Sequence, residues 1–260
     1  MAATRFQVVC EIEPATRPDL KNVRRQVGAL STVATRFLIP DNHIGRATVS
    51  SIAVAHEVAL MGEKSVACVN ARDRNVLGFR RDLLTAAAYG VDEFLFVYGD
   101  RPERGKRSDD LNVRSMISEA REFSSRFDTD SIAIGVSAGL GPLPTWKRQA
   151  DALYLQVSYS SREMVRWREQ TDFDGAVYAG VMVLPSSSMA RKLSVHVPQL
   201  AVPDDVLARL DGSPGAGVEL ACELVSEIRD SRVFDGVHLI PVSRYREVAA
   251  ALEKSIASPY

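Results

Sequence analysis

Cysteine is scarce in this 260-residue chain: only Cys10, Cys68 and Cys222 occur, far apart and with no C-x-x-C pair. That excludes a disulfide framework or a zinc knuckle and makes each thiol a buried packing residue. Charge of one sign is lacking as well, since 32 basic side chains meet 33 acidic ones for a net charge of −1. No basic face is available for a phosphate backbone, so nucleic acid is not an expected partner. Long apolar runs are missing too. Stretches such as 94–98 and 176–184 fall well short of the roughly 20 residues that span a bilayer, and the start of the chain has no signal-peptide core. No membrane partner is expected, and the expected location is the cytoplasm.

What is present is 46% hydrophobic residues in short runs that alternate with helical patterns. Apolar runs at 6–11, 36–39, 65–69, 93–98, 132–136, 153–157, 176–184 and 237–240 read as strands. They do not alternate apolar with polar, as expected of strands covered on both faces. Helical patterns fall at 20–30, 48–61, 76–89, 113–127, 162–169 and 245–256, with a short helix at 145–150. A longer helical region, 189–229, is broken at Pro198, Pro203 and 212–217. Eight βα units in this length predict one α/β domain over residues 1–260, a single (β/α)8 TIM barrel. A doubly wound open sheet is the alternative, disfavoured because no G-x-G-x-x-G follows the first strand.

A barrel places its chemistry at the C-terminal ends of its strands, which directs attention to the polar residues there. Glu11 closes the apolar run Val8-Val9-Cys10, and a carboxylate in that setting is a candidate general acid or a partner for a structural arginine. Asp41, Asn42 and His43 follow the second strand; Asn70, Arg72 and Asp73 follow the third; Asp100 follows the fourth. Gln156 lies in the sixth strand and Arg244 just past the eighth. An aspartate at a glycine turn, as Asp100 is, commonly bonds turn amides. His43 and His56 are isolated and no metal-binding spacing occurs, so no metal is expected. Glu57 is either a buried carboxylate or part of a solvated helix face. The arginine-rich stretch 101–107 reads as a solvated loop rather than a phosphate clamp. No G-x-S-x-G elbow or Walker loop is present.

Several segments, taken in order, resemble the 5,10-methylenetetrahydrofolate reductase family. They are Cys10-Glu11-Ile12-Glu13-Pro14 after strand one, Val69-Asn70-Ala71-Arg72-Asp73-Arg74-Asn75 after strand three, and Tyr98-Gly99-Asp100-Arg101-Pro102 after strand four. Tyr154-Leu155-Gln156-Val157 and His238-Leu239-Ile240-Pro241-Val242-Ser243-Arg244 continue the match. The resemblance implies reduction of a folate methylene bridge to a methyl group with NADH or NADPH as co-substrate. Glu11 would then be the acid that protonates folate N10, and Asp100 would stabilise the 5-iminium cation. Gln156 and Arg244 would contact folate, and Asn42, Asn70 and Arg72 would help hold the dinucleotide. No acidic residue marks the ribose, so NADH and NADPH are both candidates.

The sequence departs from the family's pattern where flavin is held. The loop after strand five, 134–142, lacks the family's Tyr and His, only Lys147-Arg148 remain of its basic pair, and strand three carries Ala67-Cys68-Val69. This resembles the family's flavin-independent branch, so FAD is not expected. The alternatives are a flavin- or deazaflavin-dependent barrel oxidoreductase, or a folate-binding protein without catalysis. Retention of both Glu11 and Asp100 favours catalysis. The expected partners are small molecules, folate and a nicotinamide dinucleotide, and nothing in the sequence indicates an oligomeric state.

Overall fold

A computed structural model describes residues 6–127, 132–197 and 200–257. Eight parallel strands close into a barrel in sequence order, β1 (Gln7–Glu11), β2 (Arg36–Ile39), β3 (Ser65–Asn70), β4 (Glu93–Val97), β5 (Ala133–Ala138), β6 (Ala152–Val157), β7 (Ala176–Met182) and β8 (Gly236–Ile240), with β8 pairing back onto β1. This is the (β/α)8 architecture that the strand count predicts. Around it lie α1 (Lys21–Leu30), α2 (Ser51–Leu60), α3 (Val76–Ala88), α4 (Val113–Phe127), α5 (Ser161–Gln170), α6 (Ser187–His196), α7 (Asp204–Gly212), α8 (Ala216–Ser231) and α9 (Tyr245–Ala257).

The departures from the sequence reading have local causes. Helix α2 begins at Ser51 instead of at residue 48, because the Thr48 backbone and hydroxyl are tied to Asn42 in the preceding loop. β3 runs one residue further, to Asn70, which pairs with Val97 of β4. The broken helical region after β7 resolves into α6, α7 and α8. Pro198, one of its expected breaks, lies outside the described residues, as do residues 1–5. The β5 unit has only a 3-10 turn, Thr145–Gln149, where a short helix is expected.

Side chains divide between two apolar layers. Val8, Cys10, Phe37, Ile39, Ala67, Val69, Phe94 and Phe96 face outward and meet the helices. Val9, Leu38, Val66, Cys68, Leu95, Tyr154 and Tyr178 form a separate cluster that fills the barrel interior. Successive strand residues point to opposite faces, so the residues two positions beyond these inward ones also point inward, at the C-terminal mouth. Glu11 on β1, Asn70 on β3 and Gln156 on β6 take those positions. At the opposite end Arg36 forks onto Glu93 at 3.0 and 2.7 Å and also donates to Gln7 Oε1, which accepts from Tyr178 Oη at 3.0 Å. These polar groups floor the barrel and satisfy one another.

All three thiols are removed from reactivity by this packing. Burial pushes Cys10 up to about 12 and Cys222 up to about 11, and raises Cys68 further still. A raised thiol pKa means that almost no thiolate is present at neutral or mildly alkaline pH. A disulfide-exchange reagent at pH 8 is therefore expected to leave all three cysteines essentially unmodified in the native protein and to titrate all three after denaturation.

Candidate active site at the mouth of the barrel

Glu11 ends β1 and its carboxylate reaches across the β1–β8 seam to His238. The two side chains approach at 3.1 Å, Glu11 Oε2 to His238 Nε2, with the Glu11 side chain 19% exposed and that of His238 11%. The imidazole also stands edge-on to the Tyr154 ring, with centroids 5.7 Å apart and planes at 83°. Burial holds the Tyr154 hydroxyl well above its usual pKa, so the ring beside His238 stays neutral. The contact fixes the orientation of the Glu11 carboxyl group at the barrel mouth. Sequence reasoning did not single out His238 as a site residue. Its signal was there, as a polar side chain inside the apolar run of β8, facing the same way as Glu11.

Asp100 lies past the end of β4 and is exposed. Its Oδ2 accepts the backbone N–H of Ile44 at 2.9 Å, which ties the β4 loop to the β2 loop. The same two loops meet again where Gly45 packs on the backbone of Arg101. A Cβ at Gly45 would fall 2.0 Å from the Arg101 carbonyl oxygen, and its φ of +70° suits glycine. Ile44 adopts φ +57°, a strained value for a β-branched residue, and the Asp100 contact helps hold it. The expected turn-bonding role of Asp100 is thus present, with the partner amide coming from another loop and one carboxylate oxygen left facing solvent.

The residues after β2 and β3 form a buried bracket. Asp41 Oδ2 accepts from the Asn70 backbone N–H at 3.0 Å, from Asn70 Nδ2 at 2.7 Å and from Arg74 Nη1 at 2.5 Å. Arg74 also donates to Asp82 at 2.6 Å, and these carboxylates raise its pKa against the opposing effect of burial. Asn70 is wholly buried, and its Oδ1 accepts the Asp73 backbone N–H at 2.9 Å. Asn42 donates to Asp73 Oδ2 at 3.0 Å. The amides of Asn42 and Asn70 are therefore engaged in shaping the loops. Arg72 differs. It is 2% exposed, its Nε lies 3.4 Å from Asp73, and both terminal nitrogens lack a partner.

Gln156 is exposed at the end of β6, where the ladder to β7 shifts register between Tyr154 and Val157. Arg244 sits half-buried after β8 and forks onto Glu247 at 3.0 and 3.0 Å. The structure adds Lys147 at the β5 rim. Its ammonium donates to the Ser137 carbonyl at 2.6 Å, and burial lowers its pKa. Glu57 is not a site residue. It pairs with Arg24 at 2.6 Å between α1 and α2, outside the barrel. Among the described residues no three His, Cys, Asp or Glu side chains converge as a metal site, and no helix is long and apolar enough to cross a membrane.

Solved structures share this architecture. A Clostridium thermocellum protein that binds two copies of 5-methyl-5,6,7,8-tetrahydrofolic acid matches with a TM-score of 0.64 at 12% identity, over 96% of this chain and 94% of that one. A GH18 chitinase from Pseudoalteromonas aurantia matches at 0.55 and 11% identity, over 96% and 99% of the two chains. A 2,3-dimethylmalate lyase of the PEP mutase/isocitrate lyase superfamily matches at 0.50 and 12%, over 98% and 82%. At such identities the likeness establishes the barrel fold alone. No protein-family model matches the sequence, and no curated protein matches it.

The Asp41 bracket joins the ends of β2 and β3, so its loss is measurable as stability. Asp41→Ala leaves the Asn70 amide without its buried acceptor and Arg74 with Asp82 as its one remaining carboxylate. It is expected to destabilise the protein by about 3 kcal/mol, the scale of breaking a buried ion pair, as read from urea unfolding.

Proposed function

We propose that the chain is a pyridine-nucleotide-dependent reductase that converts 5,10-methylenetetrahydrofolate to 5-methyltetrahydrofolate. The observation that carries this reading is the Glu11–His238 pair at the barrel mouth, a carboxyl group at the end of β1 oriented by an imidazole. The order of strand-end motifs supports it, because Glu11, Asp100, Gln156 and Arg244 fall where the resemblance to the methylenetetrahydrofolate reductase family requires them. The fold also recurs in a Clostridium thermocellum protein that binds a methylated tetrahydrofolate.

In this reading Glu11 gives its proton to N10 of the folate as the bond from N10 to the bridging carbon breaks. The electrons of that bond stay on N10, and a positively charged iminium forms at N5. His238 keeps the Glu11 carboxyl aimed at N10 and supplies the next proton. Asp100, held by the Ile44 amide, offers a fixed negative charge to the cation, a stabilisation that needs no reorganisation as the charge develops. A hydride with its electron pair then passes from C4 of the dihydronicotinamide to the methylene carbon, giving the N5-methyl group and the oxidised dinucleotide. Gln156 and Arg244 bind the folate. Asn42 and Asn70 shape the loops for the dinucleotide, and Arg72 offers its unpartnered guanidinium nitrogens to it.

The hydride passes directly between the two bound substrates, without flavin as an intermediary. The stretch after β5 supports this, as residues 134–142 lack the Tyr and His with which the family holds flavin. Both substrates then occupy the site together, and proximity supplies part of the rate.

Purified protein without added flavin is expected to oxidise NADH or NADPH only when methylenetetrahydrofolate is present, with intersecting double-reciprocal lines. Parallel lines together with a flavin absorption spectrum would remove the direct-transfer mechanism. Glu11→Gln should lower kcat by about 10²-fold or more while folate still binds, the scale of losing a general acid. Asp100→Asn should cost about 10²-fold in kcat; normal turnover by either variant would defeat its assigned role.

A further inference from the structure

Beside the mouth lies a cavity of about 660 Å3 whose wall includes Arg72, Arg101, Arg104 and Arg107. Against four guanidinium groups the wall carries one carboxylate, Glu103, which lies 3.5 Å from Arg46. Arg107 donates to Tyr98 Oη at 2.8 Å and pairs with Asp109 at 3.1 Å. Among the described residues, Arg101 and Arg104 are exposed and form no ion pair. Arg72, at the base, is almost completely buried with both Nη atoms unpartnered. Asp73 meets only the Nε side of this guanidinium; leaving its buried terminal nitrogens unpartnered is costly in a folded protein, and they match a pair of anionic oxygens.

We propose that this cavity is a phosphate-binding site and that it takes the pyrophosphate of the dinucleotide. The loop expected from sequence to be only solvated is one wall of a cationic pocket, because folding sets its arginines beside Arg72 of the neighbouring β3 loop. Planar, forked guanidinium groups favour phosphate, which accepts two hydrogen bonds from each. A pyrophosphate delivers several negative charges within the space that four arginines enclose, and the volume is that of ordinary ligand pockets. Gly99 also lines the cavity, immediately before Asp100, so phosphates held here leave the nicotinamide to extend toward the barrel mouth. The ligand's identity rests on the reductase reading; the phosphate chemistry does not.

Calorimetric titration of the intact protein with inorganic pyrophosphate tests the site without folate or dinucleotide. Binding is expected for the wild type. The double variant Arg101→Ala/Arg104→Ala, which alters exposed and unpaired side chains, should weaken it about tenfold or more, as should Arg72→Met if its melting temperature is retained. A control with the same loss of charge on α5, Arg162→Ala/Arg166→Ala, should stay within about twofold, since only local contacts are removed elsewhere. Absence of pyrophosphate binding, equal weakening in the control, or preferential binding of tri-γ-glutamate, a carboxylate source, would each overturn the proposal. In turnover assays the Arg101/Arg104 variant should raise the KM for the dinucleotide with kcat little changed. An unchanged KM in a variant that has lost pyrophosphate binding would refute the assigned ligand. Intact pyrophosphate binding in a protein that shows no reductase turnover would instead refute the reductase reading and leave the phosphate site standing.

Discussion

Closure of eight parallel strands into a barrel denies water to most of the inner face, and that desolvation governs where polar groups can sit. Tyr154 and Tyr178 join Val9, Leu38, Val66, Cys68 and Leu95 in the middle of the barrel, and polar side chains are confined to its two ends. At the floor, Arg36, Glu93, Gln7 and Tyr178 satisfy one another and close the end. At the mouth, Glu11 has His238 as its close partner and keeps some contact with solvent. The packing that pairs off the polar groups at the floor leaves the Glu11–His238 pair partly open at the mouth.

The loops above the mouth are bound to one another. Asp41 gathers Asn70 and Arg74, Asp100 holds the Ile44 amide, and Gly45 lets the β2 loop lie against the backbone of Arg101. Strain at Ile44 persists because these contacts over-determine it. Preorganisation of this kind keeps a charge such as that of Asp100 in place before a ligand arrives. It also brings Arg72 and the 101–107 stretch together, so that cationic side chains from two loops share one cavity.

Much of the fold was legible in the sequence, because a strand buried on both faces must be apolar throughout and its end must show where polarity returns. The eight strands, their order and most helix boundaries follow from that rule, and Glu11 was visible as the first carboxylate after an apolar run. Less legible were features that depend on a partner from another strand. Thr48 reads as helix but is held in the loop by Asn42. Glu57 reads equally as a buried carboxylate or as part of a solvated helix face, and only the tertiary structure pairs it with Arg24 on the outer layer.

From sequence alone came the barrel, the residues at its strand ends and the absence of any global charge to gather an anionic ligand, since periodicity and composition are properties of the chain itself. The tertiary structure decided which of those residues meet. His238 lies 227 positions from Glu11, and Arg72 nearly 30 from Arg101, separations at which no local pattern carries information. Barrel closure and loop contacts bring each pair together, and burial then determines which charges are compensated and which are left to face a ligand.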